Sequence, residues 1–447
     1  MENKLKSRQT LTIGLMLFAL FLGAGNMIFP PLLGQQAGEN LWSAITGFLI
    51  TGVGLPLLGV ASIAITGGSL YDLSSRVHPL FAGIFTAVLY LAIGPFFGIP
   101  RTGTVAFEIG VTPFLPESIN ANTLPLMLYT IVFFGITLWL SINPTKLVDR
   151  VGKILTPILI AVLGIIIIAG VSNPIGSASN PTEAYSEGPL FEGFIKGYLT
   201  MDAIASLVFG MVVVNAVKEK GVKSRKALAS SVIKAGVIAA TGLALIYLSL
   251  AYLGATSFKV IGPVENGGII LSGLADYLFG STGALLLGLA ITFACLTTSV
   301  GLVTACGEYF SAAFPRLSYK LVVTIVTIFS ALIANVGLTQ LIGLTLPVLI
   351  AIYPIAIVLI VLSFMNDLFN GYSYVYRGAI IGAMLISIPD AILSTGIELE
   401  AISSSLELLP LYEKGIGWLV PAVLGGLIGY LMAKKREDVN GHAMNKA

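Results

Sequence analysis

Histidine and cysteine each occur only twice in 447 residues, and charged side chains make up 10% of the chain. Each scarcity removes a class of chemistry. His78 falls in a loop and His442 near the C-terminus, so neither is placed to act as a base or metal ligand in an apolar interior. Cys295 and Cys306 stand eleven residues apart on one predicted helix. That is roughly 16 Å of rise, far beyond disulfide reach, and both read as small buried hydrophobes. With no nucleophile beside a base, an intramembrane enzyme is not expected. A formal net charge of +2 offers no basis for binding nucleic acid or an acidic partner. What is plentiful is apolar: 56% of the residues are hydrophobic and 50 are glycine. Apolar runs of transmembrane length recur from end to end, which predicts an all-α polytopic membrane protein.

Charge-free runs and turn residues divide the chain into twelve spans, near 9–35, 40–67, 79–109, 122–142, 151–171, 191–217, 227–255, 280–313, 319–336, 339–365, 376–396 and 416–433. Leu321 to Asn366 carries no charge but is twice one span in length, so Asn335-Val336-Gly337 is read as a hairpin turn. The basic stretch Met1 to Arg8 leads into a first span too long for a signal peptide and is expected to be retained. With the N-terminus inside, twenty Lys and Arg residues, from Lys4 to Lys446, fall on inner segments and four (Arg101, Lys196, Lys259, Lys414) on outer ones. The positive-inside rule predicts this asymmetry, which places both termini in the cytoplasm. Acids such as Glu183, Glu187, Glu398 and Glu413 collect on the outer side. The expected layout is one transmembrane domain, 1–433, and a cytoplasmic tail, 434–447. The segments 172–190, 256–279 and 397–415 are expected to be surface loops or short lids.

Two spans are interrupted. The first contains Gly23-Ala24-Gly25-Asn26 followed by Pro30-Pro31, and the sixth is broken around Thr200–Ser206. A lipid-facing break would strand backbone polar groups, so such breaks belong where protein or a ligand site surrounds them. Close helix packing is the plainer use of small residues. The interruptions lie five spans apart, the pattern of a 5+5 inverted repeat with two additional helices. Asp202 falls near the bilayer midplane, where an aspartate costs roughly 2.5–3.5 kcal/mol even on the lenient insertion scale. It calls for a substrate ammonium, a cation, a proton or, as a structural acid, neighbouring polar groups. Glu192 and Lys196, at i and i+4, read as a local ion pair. Arg101 and Glu108 read as interfacial or gating residues on a span end. Asp390 and Glu308 are not placed in the site. Thr297-Thr298-Ser299 on the eighth span either bond back to their own helix or join carbonyls freed by a break in an oxygen cage for a monovalent cation.

Taken together, Phe21-Leu22-Gly23-Ala24-Gly25-Asn26-Met27-Ile28-Phe29-Pro30-Pro31, Gly197-Tyr198-Leu199-Thr200-Met201-Asp202-Ala203 and Thr297-Thr298-Ser299 resemble the bacterial branched-chain amino acid:cation symporter family over nearly the whole chain. The resemblance implies a leucine-transporter-like fold of twelve transmembrane helices. It further implies uptake of leucine, isoleucine and valine across the bacterial cytoplasmic membrane, with no cofactor beyond a coupling cation, Na+ or H+. On that fold's pattern, backbone N–H groups of Ala24 and Gly25 meet the substrate carboxylate and Asn26 assists the substrate or an ion. Thr200 and Asp202 flank the ammonium. Ala19, Leu22, Ala294, Thr297 and Thr298 hold sodium. Asp202 stands where the fold has a small hydroxyl residue, which leaves room for a proton in place of a second cation. A symporter of the same fold for another small solute is the alternative; a passive channel suits paired breaks less well.

Overall fold

The computed structural model describes residues 5–116, 123–142, 146–173, 175–397 and 400–444. Lys4, Glu398 and Lys446, three of the charges bearing on topology, lie outside these residues. Every regular element among the described residues is a helix.

Helix α1 (Ser7–Phe21) ends at Leu22, whose φ of −68° and ψ of 75° centre an inverse γ-turn. The Gly23 N–H closes that turn on the Phe21 carbonyl at 2.6 Å. Helix α2 (Ala24–Ala37) then starts, and Asn26 Oδ1 accepts the Gly23 N–H at 3.2 Å, so the break is capped from its own sequence. Pro30 and Pro31 lie inside α2. Neither can donate to the carbonyl four residues back, which leaves those of Asn26 and Met27 without a partner in the helix.

Near 79–110 the helix passes through a π-helical segment, Ala92–Phe96, where Gly94 leaves helical geometry (φ −92°, ψ −119°) beside Pro95. It resumes as α3 (Gly98–Gly110), with Arg101 in the first turn. The sixth expected span is α4 (Pro189–Lys196), a 3-10 turn Gly197–Thr200, Met201 in left-handed geometry (φ 64°) and α5 (Asp202–Glu219). The two halves are bent by 45°.

Helices α6 (Arg225–Thr256) and α7 (Gly267–Ala313) follow. Here the structure corrects the sequence reading. The segment 256–279, expected as loop or lid, is largely helical, because Asn266 Oδ1 caps α7 through the N–H groups of Gly268 (2.9 Å) and Ile269 (3.3 Å). The boundary expected at 280 is a kink within the helix, at Gly280 (φ 65°, ψ −170°). The expected turn at Asn335–Gly337 joins Tyr319–Ala334 to α8 (Leu338–Met365). Helices α9 (Ser373–Leu393) and α10 (Leu419–Met444) complete the chain, and α10 runs on without interruption past residue 433.

Among the described residues, seven helices are long and apolar enough to cross a bilayer, eight if the bent pair is one span; Ser7–Phe21, Pro157–Ser172 and Tyr319–Ala334 are shorter apolar helices. Large apolar side chains such as Trp139, Leu332, Leu385 and Leu431 are exposed on the outside of the helical assembly, as a lipid-facing surface requires. This is a multi-pass membrane protein. Inside, backbones approach closely around α2: a Cβ on Gly34 would stand 1.9 Å from the Ala251 carbonyl oxygen, one on Gly254 1.9 Å from that of Pro31, and one on Gly267 1.8 Å from that of Ile28.

Candidate functional site

Both interruptions open onto one cavity. Gly23, Ala24, Gly25 and Asn26 from the first break share its wall with Thr200, Met201 and Asp202 from the second. Phe21, Ile93, Ala205, Phe209 and Leu302 give it an apolar side, and its volume is about 50 Å³. That is room for a few solvent molecules.

Asp202 opens α5 directly after the left-handed Met201 and is 4% exposed. Its Oδ2 accepts from Asn26 Nδ2 at 2.6 Å and from the Tyr247 hydroxyl at 2.8 Å, and Asn26 Nδ2 also reaches the Tyr247 hydroxyl oxygen. Three helices, α2, α5 and α6, are thus tied together at one carboxylate oxygen. Thr200 supports the break from within: its hydroxyl donates to the Gly197 carbonyl at 2.9 Å and accepts the Asp202 N–H at 3.2 Å. The last carbonyls of the 3-10 turn have no helix to continue into. Arg101 meets them, Nη1 donating to the Leu199 carbonyl and Nη2 to that of Thr200 at 3.1 Å, while its guanidinium lies 5.4 Å over the Phe29 ring.

The structure therefore brings Ala24, Gly25, Asn26, Thr200 and Asp202 together. Of the residues expected to hold sodium, Thr298 alone lines the cavity, its methyl and hydroxyl packing toward Gly23. The Thr297 and Thr298 hydroxyls both donate to the Ala294 carbonyl, at 2.8 and 3.1 Å, the back-bonding usual for hydroxyls in membrane helices. Ala19 and Leu22 belong to the end of α1 and stand off the cavity wall.

The profile of the branched-chain amino acid transport protein family matches residues 6–436. The chain belongs to that family. It is 57% identical over 436 residues to the branched-chain amino acid permease BraB of Bacillus subtilis (strain 168), covering 97% of each chain. It is 42% identical over 424 residues to the branched-chain amino acid permease BrnQ of Escherichia coli (strain K12), covering 95% of each. Among solved structures it is similar to Mhp1, a nucleobase-cation-symport-1 family transporter, in an inward-facing conformation, with a TM-score of 0.63 at 14% identity over 96% of this chain and 91% of that one. It is also similar to MhsT in complex with L-phenylalanine, with a TM-score of 0.52 at 16% identity over 96% and 98% of the two chains. Both neighbours have the leucine-transporter fold. The chain is a membrane transporter rather than an enzyme.

Two residues of the site escaped the sequence reading. Arg101, expected in an interfacial or gating role, is 6% exposed and lines the cavity, because the bend at Gly94–Pro95 restarts the helix just before it. Tyr247 gave no signal, since nothing in its spacing along α6 says which neighbour its hydroxyl faces. Other readings fare as their local patterns suggested. Lys196 and Glu192 pair at 3.2 Å. Glu108 accepts from Asn266 Nδ2 at 3.3 Å and Asp390 from the Tyr412 hydroxyl at 3.0 Å; neither lines the cavity.

Proposed function

We propose that this transporter takes up leucine, isoleucine and valine across the bacterial cytoplasmic membrane by symport with a cation, sodium in first place and a proton as the alternative. The observation that carries the reading is the convergence of two helix breaks on one cavity with a carboxylate and a helix N-terminus in its wall. A zwitterion leaving water needs its two charges met separately, and these two features have opposite sign. The names of the relatives at 42–57% identity support branched-chain substrates.

In this reading the chain crosses the bilayer twelve times as a 5+5 inverted repeat plus two helices, with both termini cytoplasmic. Ala24, Gly25, Asn26, Thr200 and Asp202 bind the amino acid. The carbonyls of Ala19, Leu22 and Ala294 and the hydroxyls of Thr297 and Thr298 hold sodium; each hydroxyl, having donated its proton to Ala294, keeps lone pairs for a cation. At about 50 Å³ the cavity is well below the roughly 150 Å³ that accommodates benzene, so substrate entry requires the two breaks to separate. An apolar wall distinguishes one methylene by only roughly 1–3 kcal/mol, so the three substrates compete.

Uptake of radiolabelled leucine by proteoliposomes under separately imposed sodium and proton gradients is the test. Accumulation driven by the sodium gradient and competed by isoleucine and valine is expected. Accumulation under the proton gradient alone would reassign the ion, and equilibration without accumulation under either would reject symport.

A further inference from the structure

The interior of this protein holds two opposite charges that face one cavity without making an ion-pair contact. Among the described residues the only side-chain ion pair is Lys196 with Glu192. Asp202, 4% exposed, is held by the neutral Asn26 and Tyr247; Arg101, 6% exposed, by two backbone carbonyls and a ring face. Both line the same cavity. Buried charges are ordinarily paired, because neutral dipoles compensate their lost hydration only in part. Moreover, Arg101 Nε is buried with no hydrogen-bond partner at all. A guanidinium has five N–H donors, and the planar fork that suits a carboxylate remains incompletely used here.

The position of the guanidinium adds a second argument. A Cβ on Gly25 would lie 2.9 Å from Arg101 Nη2 and 3.1 Å from its Cζ, so the arginine stands directly against the first turn of α2. The N–H groups of that turn have no partner within the helix and carry the positive end of its dipole. Guanidinium and helix terminus would repel unless an anion lay between or beside them. Asp202 does not supply it by direct contact.

We infer that Arg101 is a substrate-binding residue: together with the N-terminus of α2 it receives the carboxylate of the bound amino acid, while Asp202 receives the ammonium. The inference rests on the proposed transport of amino acids and deepens it. It makes Arg101 the residue that demands an α-carboxylate, and it makes the ligand the missing link of a charge pair split across the cavity. The Leu199 and Thr200 carbonyls keep the guanidinium oriented when the site is empty of ligand.

Equilibrium binding of leucine and of leucinamide to the purified full-length chain tests this, since leucinamide keeps the side chain and amino group but lacks the carboxylate. Wild type should prefer leucine. In Arg101→Gln the leucine affinity should fall roughly 10- to 100-fold, the range of a hydrogen bond to a charged group, while leucinamide affinity changes little, so the preference collapses. An equal loss for both ligands would overturn the inference and leave Arg101 as a brace for the helix break. Should Arg101→Gln not fold, Arg101→Lys, which keeps the charge but not the fork, is read by the same ratio. Wild type that binds no leucine would instead defeat the transport reading itself.

Discussion

The two helix breaks do the same job by different means. At Leu22–Gly23 the chain supplies its own remedy: Leu22 centres the turn, and Asn26, three residues after Gly23, accepts the Gly23 N–H. At Met201 a bulky residue is held in left-handed geometry, and the freed carbonyls of Leu199 and Thr200 are met by Arg101, about a hundred positions earlier in the chain. The first break carries its cap within its own segment. The second, braced locally by Thr200, has its last carbonyls held by a cation from another helix, and so is exposed to whatever competes for that cation.

The strongest way to break the comparison is at the junction of the two. Gly25→Leu forces a side chain against Arg101 and the Phe29 ring, whose nearest atom is 3.2 Å from the ideal Cβ. Leucine binding should be abolished in protein that still elutes as a monodisperse species from a size-exclusion column. Wild-type affinity in that variant would mean the first break only packs and holds no ligand.

Next in size is Asp202→Asn, which removes the charge while preserving shape. Accumulation should collapse, with binding weaker by roughly 10- to 100-fold, whereas exchange of labelled for unlabelled leucine, which needs no net ion movement, persists. If accumulation, affinity and pH profile all match wild type, Asp202 is a structural acid satisfied by Asn26 and Tyr247.

The smallest effect separates two neighbouring hydroxyls. Thr298 backs the first break and lines the cavity, whereas Thr297 does not. Thr298→Ala should shift the sodium dependence of uptake several-fold, about the worth of one ligand hydrogen bond, and Thr297→Ala should shift it less. Unchanged sodium dependence in both would move the cation elsewhere.

The contrast also explains what could be read from the chain itself. Gly23–Asn26 was legible because turn, cap and following prolines are all local. Asp202 was legible because a carboxylate at that depth is costly wherever it points. The burial of Arg101 was not legible because it depends on the bend at Gly94–Pro95, and a position near the end of an apolar run says nothing of that bend. Tyr247 was invisible because its role depends on which face of α6 meets α5. The helix before Gly280 was missed because glycine marks both boundaries and kinks, and only its measured φ of 65° tells them apart.

The glycines around α2 have a mechanical consequence. Where Gly34 meets Ala251, Gly254 meets Pro31 and Gly267 meets Ile28, main chain lies on main chain with no side chain between to rotate or compress. Side-chain contacts yield by changing rotamer; these cannot. The Ala24–Ala37 segment is therefore held main chain to main chain against the C-terminal end of Arg225–Thr256 and the start of Gly267–Ala313. A displacement of Ala24–Ala37 at these points has to be shared by the two segments whose main chain it touches.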